Sequence, residues 1–370
     1  MAMKDISVYV PECSAGVFHH HISMLSAGRG IQYMTICHDI DVFLTTRGVK
    51  LACFQIPYPW DPVIETEIDR LYDHVDQILI LGSELHEKTV SFMRRYDREK
   101  ITYFACGKLN VPLNISYVDR FPDWIITTVA VYKNIAPVKL FELTPWATKP
   151  LMFDVLLGRK KPHRDTAYNY VLKHGLKPQC ALSYMNSLEP EIKLCDTTTD
   201  QWIWETDDLQ HNARLSEIFW TVERIPYYGK NVSVSQIMPI SIYNQTAYSL
   251  VCETGFDNDF VFITEKTVKP MLARRLFLLL GHRYNLAYLR ELGFQTFQGI
   301  IDESYDEIEA VNDRHLAALE QMSWLCTQDQ ADILQKARPI IEHNFNHLYT
   351  TDWYAQFQRP FSRHFYPGTV

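Results

Sequence analysis

The sequence predicts an α/β protein built from two doubly wound units, and three observations carry that prediction. The chain has 370 residues, roughly twice an ordinary single domain. Short apolar runs alternate with stretches of helical periodicity in two separate series. Between the series lies 141–150, a stretch interrupted by Pro145, Trp146 and Pro150. Strands alternating with helices form parallel sheets covered on both faces.

In the first series, Ile6–Val10, Ile31–Cys37, Leu51–Ile56, Gln77–Leu81 and Ile101–Ala105 are apolar runs of strand length. Glu65–Val75 and Glu87–Arg98 place apolar residues at helical spacing between them. Asp123–Tyr132 reads as one more strand or as the opening of a helix. The second series begins at Leu151 with strand Met152–Leu157, helix Arg164–His174 and a strand around Ala181. A strand at Leu250, a helix near Lys266, strand Leu276–Leu280, helix Asn285–Leu292 and a short strand Phe294–Phe297 complete it. Asp329–His347 is helical, and Trp353, Tyr354, Phe357 and Phe361 make the tail aromatic. The expected division is a first domain 1–148, a second 149–330 and a helical tail 331–370.

The 47% hydrophobic and 22% charged shares are those of a folded domain. No apolar run approaches the ~18 residues that span a bilayer, and the N-terminus lacks a signal-peptide pattern, so the expectation is a soluble, cytoplasmic protein without a membrane partner. The eight cysteines, at 13, 37, 53, 106, 180, 195, 252 and 326, show no close pairing and read as buried thiols. A net charge of −8 disfavours a generalised hold on nucleic acid. A local basic cluster runs through Arg159, Lys160, Lys161, His163 and Arg164, between a strand and a helix, where anions are met.

The densest chemistry lies in Ser249-Leu-Val-Cys-Glu-Thr-Gly-Phe-Asp-Asn-Asp-Phe-Val-Phe-Ile-Thr-Glu-Lys266. Here an apolar run ends in Glu253, turn residues follow, and Thr264 can cap a helix whose first turn holds Glu265 and Lys266. Free N–H groups and the helix dipole favour a phosphate at such a place, and Lys266 adds a cation. The plainer reading is an exposed helix decorated by the Glu265/Lys269 spacing. Pro270 argues against it, because inside a regular helix proline removes a hydrogen bond and clashes with the preceding turn.

This run resembles the donor-binding motif of the alpha-1,3-fucosyltransferase family: a strand ending in Glu, an Asp- and Asn-containing turn, an aromatic, Ile-Thr-Glu-Lys, a helix, and an apolar strand ending in Gly. A second match is Leu156-Leu-Gly-Arg-Lys-Lys-Pro-His-Arg-Asp165, which places Arg164 where the family has an arginine at a helix start. Where the family has Phe-Glu-Asn-Ser, this chain has Cys252-Glu-Thr-Gly255 and keeps only the Glu. The resemblance implies a GT-B-like fold, with two Rossmann-like domains facing across a cleft and the C-terminal helix packing back on the N-terminal domain. It also implies inverting transfer of a sugar from a nucleotide-diphosphate sugar to a hydroxyl of a glycan or similar acceptor. The expected donor-binding residues are Arg159, Lys161, Arg164, Glu253, Thr264, Glu265 and Lys266, with Glu265 holding sugar hydroxyls.

Such a transfer needs cations at the departing diphosphate and a carboxylate that takes the acceptor's proton. Candidate bases are Glu12, Asp41 and Glu84, with Asp39 beside them, all near ends of first-series strands. Asp39-Ile-Asp41 and Asp257-Asn-Asp259 match a three-residue metal signature, but Lys and Arg can neutralise the diphosphate, so no metal or other cofactor is expected to be required. His19-His-His21 does not read as a zinc site, since adjacent helical side chains diverge by about 100°. The expected compartment is the cytoplasm of a bacterium or of a phage-infected host, and the competing readings are a phage-type DNA glycosyltransferase acting on a hydroxymethylated base and a noncatalytic nucleotide- or sugar-binding protein.

Overall fold

The structure, a computed structural model, describes residues 6–11, 34–47, 49–56, 62–82, 95, 100–110, 116–120, 123–158, 160–184, 224–256, 260–353 and 355. The chain divides into two compact units, 1–122 with 353–370, and 123–352. None of the helices among the described residues is long and apolar enough to cross a membrane.

The first unit holds six parallel strands: β1 (Ile6–Tyr9), β2 (Met34–Cys37), β3 (Val49–Ile56), β4 (Gln77–Gly82), β5 (Ile101–Cys106) and β6 (Ser116–Arg120). Their order is β2-β1-β3-β4-β5-β6. Leu51 to Phe54 and Ile78 to Ile80 are wholly buried, as expected of central parallel strands covered on both faces. Helix α1 (Ile40–Thr45) follows β2 and α2 (Pro62–Leu71) follows β3. Ile64, Ile68 and Leu71 of α2 are buried at i, i+4 and i+7, one helical stripe turned to the sheet. The expected helix Glu87–Arg98 falls almost wholly outside the described residues.

The second unit opens earlier than expected, with helix α3 (Asp123–Ala130), which settles the strand-or-helix alternative for this stretch. One wider helical turn, Val131–Ile135, follows, and the hydroxyl of buried Tyr132 accepts the Met238 N–H. That contact and the packing of α3 place 123–148 in the second unit. Its sheet contains β7 (Leu151–Leu157), β8 (Cys180–Tyr184), β11 (Thr246–Cys252) and β12 (Leu276–Leu280), all parallel, in the order β12-β11-β7-β8. Between β8 and β11 comes an antiparallel hairpin, β9 (Arg224–Tyr227) with β10 (Lys230–Ser233). Tyr228 and Gly229 take φ of 47° and 72° at its turn, the sign that a tight hairpin requires.

Helix α4 (Pro162–Lys173) links β7 to β8, α5 (Ile240–Gln245) precedes β11, and α6 (Glu265–Leu272) links β11 to β12. Helix α6 continues through Pro270 to Leu272. Helices α7 (Asn285–Glu291), α8 (Val311–Leu325) and α9 (Gln330–Thr350) follow. Two expectations need correction. Phe294–Phe297 is not a strand: side chains take its backbone groups, Asn344 both donating to and accepting from Gln295, and Glu303 accepting from the Phe297 N–H. Of the expected returning tail 331–370, residues 353–370 group with the first unit, but the last long helix does not. It belongs to the second, where Ile333, Leu334, Ala337, Ile341, Phe345 and Leu348 are buried along one side of α9.

Candidate functional site

In the second sheet, β8 lies on one side of β7 and β11 on the other, so the chain order reverses between β7 and β11. Open parallel sheets bind ligands beyond the carboxyl ends of the strands at such a reversal. Two loops emerge there, 158–161 into α4 and 253–256 after β11. Gly158 permits the first to pass over Arg164, whose Nη1 lies 3.1 Å from where a Cβ would stand.

Glu253 is fully buried, and its carboxylate accepts from the Thr264 N–H at 2.9 Å, the Thr254 N–H at 3.2 Å, and the hydroxyls of Thr264 and Thr267. Four donors fill a carboxylate, so this side chain fastens the loop to the start of α6. Its backbone is held as firmly: the Glu253 N–H donates to Leu280, while His163 Nε2 lies 2.8 Å and Arg164 Nη2 3.3 Å from its carbonyl. Thr254 then receives two ammonium groups, Lys161 on its carbonyl and Lys266 on its hydroxyl at 3.2 Å. Lys161, Arg164 and Lys266 therefore meet on two consecutive residues.

Thr264 caps α6 as expected, its hydroxyl accepting from the Lys266 N–H. Its carbonyl takes the N–H groups of Thr267 and Val268. These first-turn donors are thus engaged within the chain, and attraction for an anion comes mainly from side chains. Glu265 and Lys266 form an ion pair of 2.7 Å, with Glu265 buried and Lys266 partly exposed. Burial pushes the Glu265 carboxyl up, but Lys266 and Lys269 outweigh it and leave the group below its ordinary range. Burial also lowers Lys269 to about 8, with Glu265 pulling the other way.

The basic cluster is less uniform than the sequence suggests. Arg159 lies outside the described residues and Lys160 is exposed. His163 is buried, and that burial, with Arg164 next to it, drives its pKa well down, so it is neutral and no anion site. It packs against Phe256 at 4.8 Å between ring centroids and against His315 at 5.7 Å. No pattern in the sequence singles out Arg314 or His315. Arg314 donates to the carbonyls of Phe256 at 2.8 Å, Ile308 at 2.7 Å and Gly281, while His315 Nε2 lies 3.2 Å from the Gly281 carbonyl. Together they clamp the loops after β11 and β12.

Of the candidate bases, Glu12 and Glu84 lie outside the described residues, as do Asp257, Asp259 and the three histidines from His19. Asp41 is exposed in the first turn of α1 and pairs with Arg70; Asp39 caps the same helix by accepting from the N–H groups of Asp41 and Val42. Among the described residues no three His, Cys, Asp or Glu side chains group as metal ligands.

No protein-family model matches the chain, and no curated protein matches it. A solved structure described as a crystal structure of alpha1,3-fucosyltransferase is similar over 92% of this chain and 92% of that one, at 10% identity and a TM-score of 0.38. A likeness at that TM-score assigns neither site nor activity.

Proposed function

We propose that this chain is a glycosyltransferase that takes its sugar from a nucleotide-diphosphate donor, bound in the second unit, and passes it with inversion to a hydroxyl acceptor. The observation that carries the reading is the meeting of Lys161, Arg164 and Lys266 on Glu253 and Thr254, at the reversal of strand order, beside the Glu265–Lys266 pair. Four cations, Lys161, Arg164, Lys266 and Lys269, surround two carboxylates, Glu253 and Glu265, and Glu253 is already saturated. The excess positive charge suits a diphosphate and its development into a leaving group, the task a divalent metal performs elsewhere. Lysines resting on a threonine can exchange that neutral partner for phosphate oxygens at small cost. Glu265, ionised beside partly exposed Lys266, accepts hydroxyls of the donor sugar, and that interaction strengthens as the ring gains positive charge.

Two variants test the division of labour. Glu265→Gln is expected to lower turnover far more than affinity for the free nucleoside diphosphate, whereas Lys266→Ala lowers both. Nucleotide affinity is read by calorimetry and turnover by nucleotide release. Wild-type values of both quantities in both variants would remove this motif from any transfer reaction.

A further inference from the structure

The carboxyl end of β8 carries a cluster that diphosphate binding leaves unused. Tyr184 closes β8 opposite Leu157 of β7, so it lies at the same sheet edge as Gly158 and the start of α4. Its hydroxyl donates to Asp165 in the first turn of α4. Tyr168, one turn further along that helix, sets its ring 5.2 Å from that of Tyr184, at an interplanar angle of 39°. Tyr184 is buried, while Asp165 and Tyr168 are half-buried. Arg164 adjoins Asp165 and lies within electrostatic reach of Tyr184. The helix dipole alone explains a carboxylate in the first turn. It does not explain a phenol that holds the carboxylate in place, or a second, partly exposed ring beside them.

A carboxylate is an acceptor with room for about four hydrogen bonds, and Tyr184 fills one of them. The vicinal hydroxyls of a ribose are donors suited to the others. Asp165 stands earlier in the chain than the ribose carboxylate of dinucleotide folds, which lies about 20 residues past the first turn, but Tyr184 holds it at the carboxyl end of the second strand, and every nucleobase offers a π face to a tyrosine ring. Resting on the donor reading, we propose that Asp165, Tyr168 and Tyr184 form the nucleoside subsite. Asp165 accepts from the ribose hydroxyls, Tyr184 fixes that carboxylate, and Tyr168 stacks on the base. A stack tolerates any base, so this subsite selects ribose and leaves base identity to other contacts.

Calorimetry with UDP, GDP, their 2′-deoxy forms and inorganic pyrophosphate separates the nucleoside from the diphosphate. Tyr168→Ala is expected to weaken the nucleotide that binds wild type by about tenfold or more and to leave pyrophosphate unchanged. Tyr168→Phe keeps the ring and binds like wild type, and Asp165→Asn loses the preference for ribose over deoxyribose. Unchanged nucleotide affinity in Tyr168→Ala, with an unchanged sugar preference in Asp165→Asn, overturns the subsite while the donor reading stands. A parallel loss of pyrophosphate binding in Tyr168→Ala also overturns it, since the ring is then only structural. A wild-type protein that binds neither pyrophosphate nor any of the nucleotides overturns the donor reading, and the subsite falls with it.

Discussion

Lys269 stands one turn past Glu265 on α6, half-buried, with its amine lowered by burial to about 8 against 10.5 for a free lysine. Because the folded value is the lower one, folding carries the full cost of the buried charge below pH 8. That cost fades as the pH rises from 8 towards 10.5, where the amine is neutral in both states. Lys269→Met should therefore stabilise the protein at pH 7, by about 1–2 kcal/mol once solvent screening is allowed for. The gain over wild type should shrink towards zero by pH 10.5. Denaturant unfolding of both proteins at several pH values reads it, and a gain that stays constant with pH would show that Lys269 keeps its charge unopposed. The same residue scale shows what was legible in the sequence. Thr264, Glu265 and Lys266 were readable because a helix cap is set by neighbours in the chain. The saturation of Glu253 was not, because its donors from Thr264 and Thr267 depend on how the loop folds back. Arg314 and His315 reach the site only through packing of α8, to which no local pattern points.

Strand β7 carries Asp154 in its middle, opposite Ser249 of β11, and β12 is preceded by Arg275. The two form a buried pair of 2.7 Å. Arg275 also donates to Ser249 and to the carbonyls of Tyr243, Thr246 and Tyr248, while Ser249 donates to Asp154. The network ties β7, β11 and β12 together beneath the candidate site. Removing one partner leaves the other charge buried, so Arg275→Met should cost ~3–5 kcal/mol in chemical denaturation, and adding Asp154→Leu should recover part of the loss. A double variant less stable than Arg275→Met would show that the charge of Asp154 has partners enough without Arg275. At this scale the buried strands were the most legible elements, since strands covered on both faces read as continuous apolar runs. Strand β6, Ser-Tyr-Val-Asp-Arg, is too polar to read that way. The hairpin β9–β10 lacks the usual Asn-Gly turn. Helix α8 buries Arg314 and His315 in its opening turns, which blurs its apolar stripe.

Two parallel sheets, each with one reversal of strand order, account for both series of strands and helices. The reversal in the first unit lies between β1 and β3, and in the second between β7 and β11. That the two large sheets are parallel was legible from alternation alone; the antiparallel hairpin was not. The boundary was not, because 123–132 reads as either strand or helix and Pro145, Trp146 and Pro150 drew the division past it. The last long helix was misplaced for a similar reason: an apolar stripe declares that a helix packs, not where. Titration of nucleotide-diphosphate sugars by calorimetry into wild type, Lys161→Ala and Lys266→Ala tests whether the second unit holds a donor. At least one UDP, GDP or dTDP sugar should bind wild type, and each variant should lose ~1.5–3 kcal/mol of that affinity with its unfolding transition unchanged. Failure of every such sugar to bind wild type, or equal affinity in all three proteins, would contradict the assignment.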